Sequence, residues 1–189
     1  KHGSSCQPIY PTWIISAYVM TLVAKKFGYL ELVDIGSGDG RIAYCGKILD
    51  FNSYSIEIDD VLVELQKKIC IDTNQNFHPK CNDALEFDYS KLNLQNPAFF
   101  IGGLAQMGGD VLATSIIKKI NSIHSLKNKT GIVFAGSNTK RQLSGNLSEG
   151  GWSSLIEENQ LSVVETVSLP TVWTFDQNVE TPYIFTKFR

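Results

Sequence analysis

The chain has 189 residues, of which 43% are hydrophobic, 11% aromatic and 19% charged. That length suits one domain, and the apolar share excludes a disordered or fibrous chain. A formal net charge of −2 gives no overall attraction for polyanions, so a nucleic-acid partner would need a local basic patch.

The sequence opens on Lys1 rather than Met, so further residues are expected upstream. Thr12 stands as a helix-start residue, and the apolar spacing through Tyr18, Val19, Leu22 and Val23 predicts a helix. Lys25 and Lys26 fall in its last turn and Gly28 at its C-terminal stop. The apolar stretch from Trp13 to Ala24 is broken by Ser16 and Thr21 and is shorter than the ~20 residues of a bilayer span. It predicts a buried helix and no membrane partner within this chain.

A strand over Tyr29–Ile35 leads into the glycine-dense Gly36-Ser37-Gly38-Asp39-Gly40, and Arg41–Leu49 reads as the next helix. Tyr54–Ile58 is a second strand and Asp60–Ile71 an amphipathic helix. Phe77–Cys81 follows as a third strand with the exit loop Asn82-Asp83-Ala84, then Ala98–Ile101 as a fourth. A helix from Gly109 to Ile120, a strand over Gly131–Ala135 and a helix from Trp152 to Asn159 come next. Leu161–Leu169 and Tyr183–Phe188 are two late β runs with only a loop between them. The alternation predicts an α/β fold, a three-layer sandwich on a mostly parallel sheet, with the last two strands antiparallel at one edge.

The chemistry-bearing segment is Val33-Asp34-Ile35-Gly36-Ser37-Gly38-Asp39-Gly40-Arg41. Its glycines let the backbone turn sharply off a strand and approach a ligand, while the next helix presents free N–H groups. A dinucleotide fingerprint would need glycine where Arg41 stands, which disfavours a pyrophosphate ligand. Glu57 ends the second strand, where a carboxylate accepts both hydroxyls of a ribose. Asp83 and the backbone of Ala84, at the end of the third, are placed to read an adenine edge. Three successive strand ends thus supply parts of one site.

These residues resemble those of class I S-adenosylmethionine-dependent methyltransferases. Asp34-x-Gly36-x-Gly38-x-Gly40 is similar to the family's first motif, Glu57 to its second-strand acid and Asn82-Asp83-Ala84 to its adenine-contacting motif. The resemblance implies a Rossmann-like methyltransferase fold with seven strands and a reversed last strand, binding S-adenosylmethionine. The cofactor residues would be Tyr10, Thr12, Asp34, Gly36, Ser37, Gly38, Gly40, Glu57, Ile58, Asp83 and Ala84. Asp34 would be an orienting acid beneath the loop or near the cofactor's amino group. Residues 1–28 would form a helical segment capping the site and residues 29–189 the methyltransferase domain, together one unit.

The acceptor is less plainly written. Asn96-Pro97 precedes the fourth strand rather than following it, so the signature of methyltransferases acting on base or glutamine amines is absent. Pro8-Ile9-Tyr10-Pro11-Thr12 followed by Val-Asp-Ile-Gly-Ser-Gly-Asp-Gly-Arg resembles the small lysine methyltransferases of archaeal and mitochondrial type. This implies a protein-lysine acceptor, with Tyr10 and Thr12 over the methionine end of the cofactor. Gly102, Leu104 and Trp173 would then lie on the acceptor side. Trp173 offers either an aromatic wall for a lysine or methylammonium group, or lid packing. Trp13 is expected to pack in the core or a lid, and Asp39 with Arg41 reads equally as an exposed ion pair.

Methylation of RNA or a small metabolite, or a non-catalytic binding module of the same fold, are the alternatives. For RNA, the one basic candidate is Lys118-Lys119 with Lys127, Lys129, Lys140 and Arg141, which reads more simply as a solvated face; no DNA partner is expected. Cys6, Cys45, Cys70 and Cys81 lack metal-site spacing, and His78 between the last two finds no fourth ligand, so no metal is expected. Unpaired thiols and the lack of a recognisable signal predict a cytoplasmic protein.

Overall fold

A computed structural model of the chain describes residues 11–101, 109–135, 152–170 and 180–189. Helix α1 (Ile14–Lys26) precedes β1 (Glu31–Ile35), α2 (Arg41–Ile48), β2 (Asn52–Glu57), α3 (Asp60–Thr73) and β3 (Pro79–Cys81). A 3-10 turn at Tyr89–Lys91 leads to β4 (Pro97–Ile101), α4 (Gly109–Ser122), β5 (Gly131–Ala135), α5 (Ser153–Glu158), β6 (Leu161–Pro170) and β7 (Glu180–Phe188).

The sheet has seven strands in the order β3-β2-β1-β4-β5-β7-β6. The first five run parallel, and β7 pairs antiparallel with both β5 and β6, as the missing helix between the last two runs predicted. Every residue of β1 and β4 is buried, the pattern of central parallel strands covered on both faces.

Strand alternation divides the core in two. Val33 and Ile35 face a cluster with Ile116, Ile120 and Trp152. Leu32 faces the other layer with Ala17, Met20, Ala24 and Ala43. Each fully buried aliphatic or aromatic side chain contributes roughly 1.5–3 kcal/mol relative to exposure. Asp34 falls by the same alternation on the α2 side of the sheet, and Ser53, Ser55 and Glu57 share one face of β2.

Several boundaries move for local reasons. Tyr29 and Leu30 stay outside β1 because Gly28, at φ +81°, turns the chain after α1. In β3, His78 at φ +53° breaks the extension, so Phe77 is a core residue rather than a strand residue. Helix α1 is apolar around its circumference and only half covered. Ser16, Ala17, Met20, Thr21 and Ala24 are buried, whereas Ile14, Ile15 and Tyr18 are exposed, and so is Trp13, against the expectation of packing. The helix starts on Trp13 without a side-chain cap, so Thr12 does not serve that purpose. Among the described residues no helix is long and apolar enough to cross a membrane.

Candidate functional site

The strand order reverses between β1 and β4, because the chain goes outward from β1 to β3 and then returns to β4 on β1's other side. Ligands of open α/β sheets bind at such a switch point, beyond the carboxyl ends of the strands. Ile35, Ile56 and Ile101 lie level across β1, β2 and β4, and Glu57 is level with Cys81 one step further on. The segments that follow these tips therefore share one edge.

The loop from Gly36 to Gly40 is fixed from several sides. The Ile56 carbonyl accepts from the N–H groups of Gly36 at 2.9 Å and Ser37 at 3.2 Å. Gly36, Gly38 and Gly40 have φ of +64°, +57° and +78°. At Gly40 the requirement is also steric, since a Cβ would sit 2.9 Å from both Gln66 Cγ and Phe77 Cε2. Helix α2 begins directly after it, with no side chain capping from Gly40.

Glu57 is the best-held acid of the site. Its Oε1 accepts from Ile58 N at 2.8 Å and Asp59 N at 3.0 Å, and its Oε2 accepts from Gly38 N at 2.8 Å. A carboxylate has about four acceptor sites, and the described residues take three, leaving one on Oε2 for an incoming hydroxyl. Ile58 therefore contributes its N–H to Glu57, while its side chain stays half-buried. Beyond β3, Asn82 N donates to the Glu57 carbonyl at 2.9 Å. Asp83 Oδ1 accepts from Leu85 N at 2.8 Å, which shapes the exit turn. Ala84 is buried and its carbonyl accepts from Tyr89 Oη at 3.0 Å.

Asp34 lies under the loop. It is 2% exposed, accepts from the backbone of Ala43 in α2, and its Oδ2 has no hydrogen-bond partner among the described residues. Burial first, and then the negative charges of Glu57 and Asp39, push its carboxyl up to about 8. At neutral pH it is a buried, protonated acid beneath the loop rather than an accessible anion.

Two connections were not legible in the sequence as they stand here. Asp39 and Arg41 are not a free surface pair: Arg41 Nε donates to Asp39 Oδ1 at 2.9 Å, and its Nη2 bonds Asp39 Oδ2. Arg41 Nη1 reaches across to the Thr12 carbonyl at 2.6 Å. The pair thus brings Thr12 to the glycine loop. The second is Gln66 of α3, fully buried and bonded to the loop. Its signal was an amide three residues after the core residue Val63, on the inward face of an amphipathic helix. Thr12 also lines a small apolar hollow with Met20, Ile42, Phe100, Ile101, Val133 and Tyr183, at the ends of β4 and β5. Tyr10, Gly102, Leu104 and Trp173 lie outside the described residues.

No protein-family model matches the sequence, and no curated protein does. Solved structures do match in fold. The chain is 8% identical to the magnesium protoporphyrin IX methyltransferase of Synechocystis, solved with bound SAM, with a TM-score of 0.65 over 93% of this chain and 78% of that one. A tRNA uracil methyltransferase of Pyrococcus abyssi in complex with S-adenosyl-L-homocysteine is 12% identical, with a TM-score of 0.63 over 90% of this chain and 37% of that one. A ribosomal protein methylase of Lactobacillus delbrueckii is 11% identical, with a TM-score of 0.61 over 93% and 78%. At such identities the likeness is one of fold, and the chain has the Rossmann-like fold of class I S-adenosylmethionine-dependent methyltransferases.

Proposed function

We propose that this chain is an S-adenosylmethionine-dependent methyltransferase whose acceptor is a protein lysine amine. The observation that carries the cofactor reading is Glu57. A carboxylate at the second strand tip is held rigid by three backbone N–H groups beside a left-handed glycine loop, with one acceptor position left open. That arrangement fits a ribose, and Asp83 and the Ala84 backbone sit on the next strand exit for the adenine. Gly36, Ser37, Gly38 and Gly40 would let the amino-acid tail approach the backbone, with Thr12 and Tyr10 closing over it from residues 1–28.

Bound there, S-adenosylmethionine would supply a methyl group on an already activated sulfonium, so the protein's task is positioning rather than acid–base chemistry. An amine attacks only when neutral, and a free lysine titrates near ~10.4. A dry channel favours the neutral form by disfavouring the ammonium. The lining of the small hollow at Phe100, Val133 and Tyr183 is in keeping with this reading, because no carboxylate among the described residues contributes to it. Gly102, Leu104 and Trp173, which follow β4 and β6, would complete that side.

The test is transfer of labelled methyl from S-adenosylmethionine into a cell lysate, separated into protein, RNA and small-molecule fractions. Label is expected in protein and, after hydrolysis, in methylated lysine. Label confined to RNA or to small molecules would overturn the lysine acceptor while keeping the enzyme. Cofactor binding without transfer to any fraction would leave a binding module of the same fold.

A further inference from the structure

We propose that Gln66 is a positioning residue that governs how strongly the site holds the ribose hydroxyls of its ligand, an inference that rests on the cofactor reading above. Gln66 is on α3, 0% exposed. Its Nε2 donates to Ser37 Oγ at 3.0 Å and to the Gly38 carbonyl at 2.7 Å, and its Oε1 accepts from Ser55 Oγ at 2.6 Å. The amide thus ties β2 and α3 to the two central residues of the glycine loop.

Its effect on the ligand passes through Gly38. The N–H of that residue donates to Glu57 Oε2, and its carbonyl is held by Gln66. The two groups belong to the peptide units on either side of one α-carbon, so fixing both sets the rotation between them. Glycine visits left- and right-handed conformations with similar ease, and nothing intrinsic keeps Gly38 at φ +57°. With Gln66 in place, the Gly38 N–H stays on Glu57 Oε2 and the remaining acceptor position of that oxygen stays open. Without it, Gly38 relaxes and Glu57 loses one of the bonds that orient it.

An amide is suited to this position because it offers two donors and an acceptor without charge. A carboxylate would face the Gly38 carbonyl oxygen with another acceptor. A thioether of similar length would leave Ser37, Gly38 and Ser55 without their partner in a buried place.

The experiment compares the wild type with Gln66→Met and Ser55→Ala by calorimetry. The probes are 5′-methylthioadenosine and its 2′,3′-dideoxy counterpart, and thermal unfolding is followed in parallel. In Gln66→Met, affinity for the hydroxylated probe is expected to fall about tenfold while that for the dideoxy probe changes by less than about twofold. Discrimination between the probes then collapses. Ser55→Ala keeps the amide but frees its oxygen, and it should move the ratio in the same direction by about two- to threefold; it decides the matter if Gln66→Met does not fold. A lowered melting temperature with an unchanged ratio would overturn the inference, because a merely structural residue weakens both probes alike. Failure of the wild type to bind either probe would instead overturn the cofactor reading itself, and the two failures are distinguishable.

Discussion

Replacing Glu57 by alanine is expected to lower affinity for S-adenosylhomocysteine by about 10- to 100-fold and stability by about 2–4 kcal/mol. Both effects have one origin. Three backbone N–H groups converge on the carboxylate, from Gly38, Ile58 and Asp59, and Glu57 is 8% exposed. Hydrogen bonds to a charged acceptor are stronger than neutral ones, and donors left unpaired near the interior keep their desolvation cost. Glu57→Gln should be no rescue. Its oxygen can serve either Gly38 or the Ile58–Asp59 pair, and its NH2 then meets an N–H donor on the other side. Isothermal titration below the melting point of both variants separates affinity from folding. An unchanged dissociation constant in a folded Glu57→Ala would remove this residue from the site.

The second large effect is a dependence of stability on pH carried by Asp34. Burial holds its carboxyl at about 8 in the folded chain, against about 3.9 for an unfolded aspartate. Between these values the folded state carries the proton and the unfolded state does not, so stability falls as pH rises through this window. The slope is at most about 1.4 kcal/mol per pH unit, and the loss is complete above the folded value. Asp34→Asn keeps an oxygen for the Ala43 N–H and cannot ionise. Denaturant unfolding at pH 5, 6.5 and 8 should therefore show the wild type losing stability relative to Asp34→Asn as pH rises. A constant difference would mean that Asp34 is ionised in the folded chain and has found a partner for its buried Oδ2.

The layout of the sheet was legible because the central parallel strands carry apolar runs: Leu32-Val33 and Ala98-Phe99-Phe100-Ile101 announce themselves, and the glycine run marks the turn between β1 and α2. The reversed last strands followed from the missing helix. Less legible were features that depend on partners distant in sequence. Asn52 opens β2 by pairing with Glu31, yet its own exposed amide carries no strand signal. The 3-10 turn at Tyr89–Lys91 rests on Asp88 capping Ser90 N and on Tyr89 Oη bonding the Ala84 carbonyl. Composition around those residues shows only a polar loop.

The candidate site divides in the same way. Glycines at 36, 38 and 40 and the acid at 57 stand out by type and spacing, because left-handed turns and strand-end carboxylates are local requirements. Arg41 and Gln66 do not, since their work lies in bonds to Thr12, 29 residues away, and to Ser37, also 29 residues away. A charged pair two residues apart looks like any surface pair until Thr12 is brought beside it. An amide within an amphipathic helix looks like an irregularity until the serine of β2 is placed opposite.

The most direct measurement is a crystal structure of the chain with S-adenosylhomocysteine. The account predicts a ribose hydroxyl within hydrogen-bond distance of Glu57 Oε2, adenine against Asp83 and Ala84, and the amino-acid tail along Gly36 to Gly40. Ligand density at any other place, with these three strand ends free of it, would contradict the account and leave only the fold.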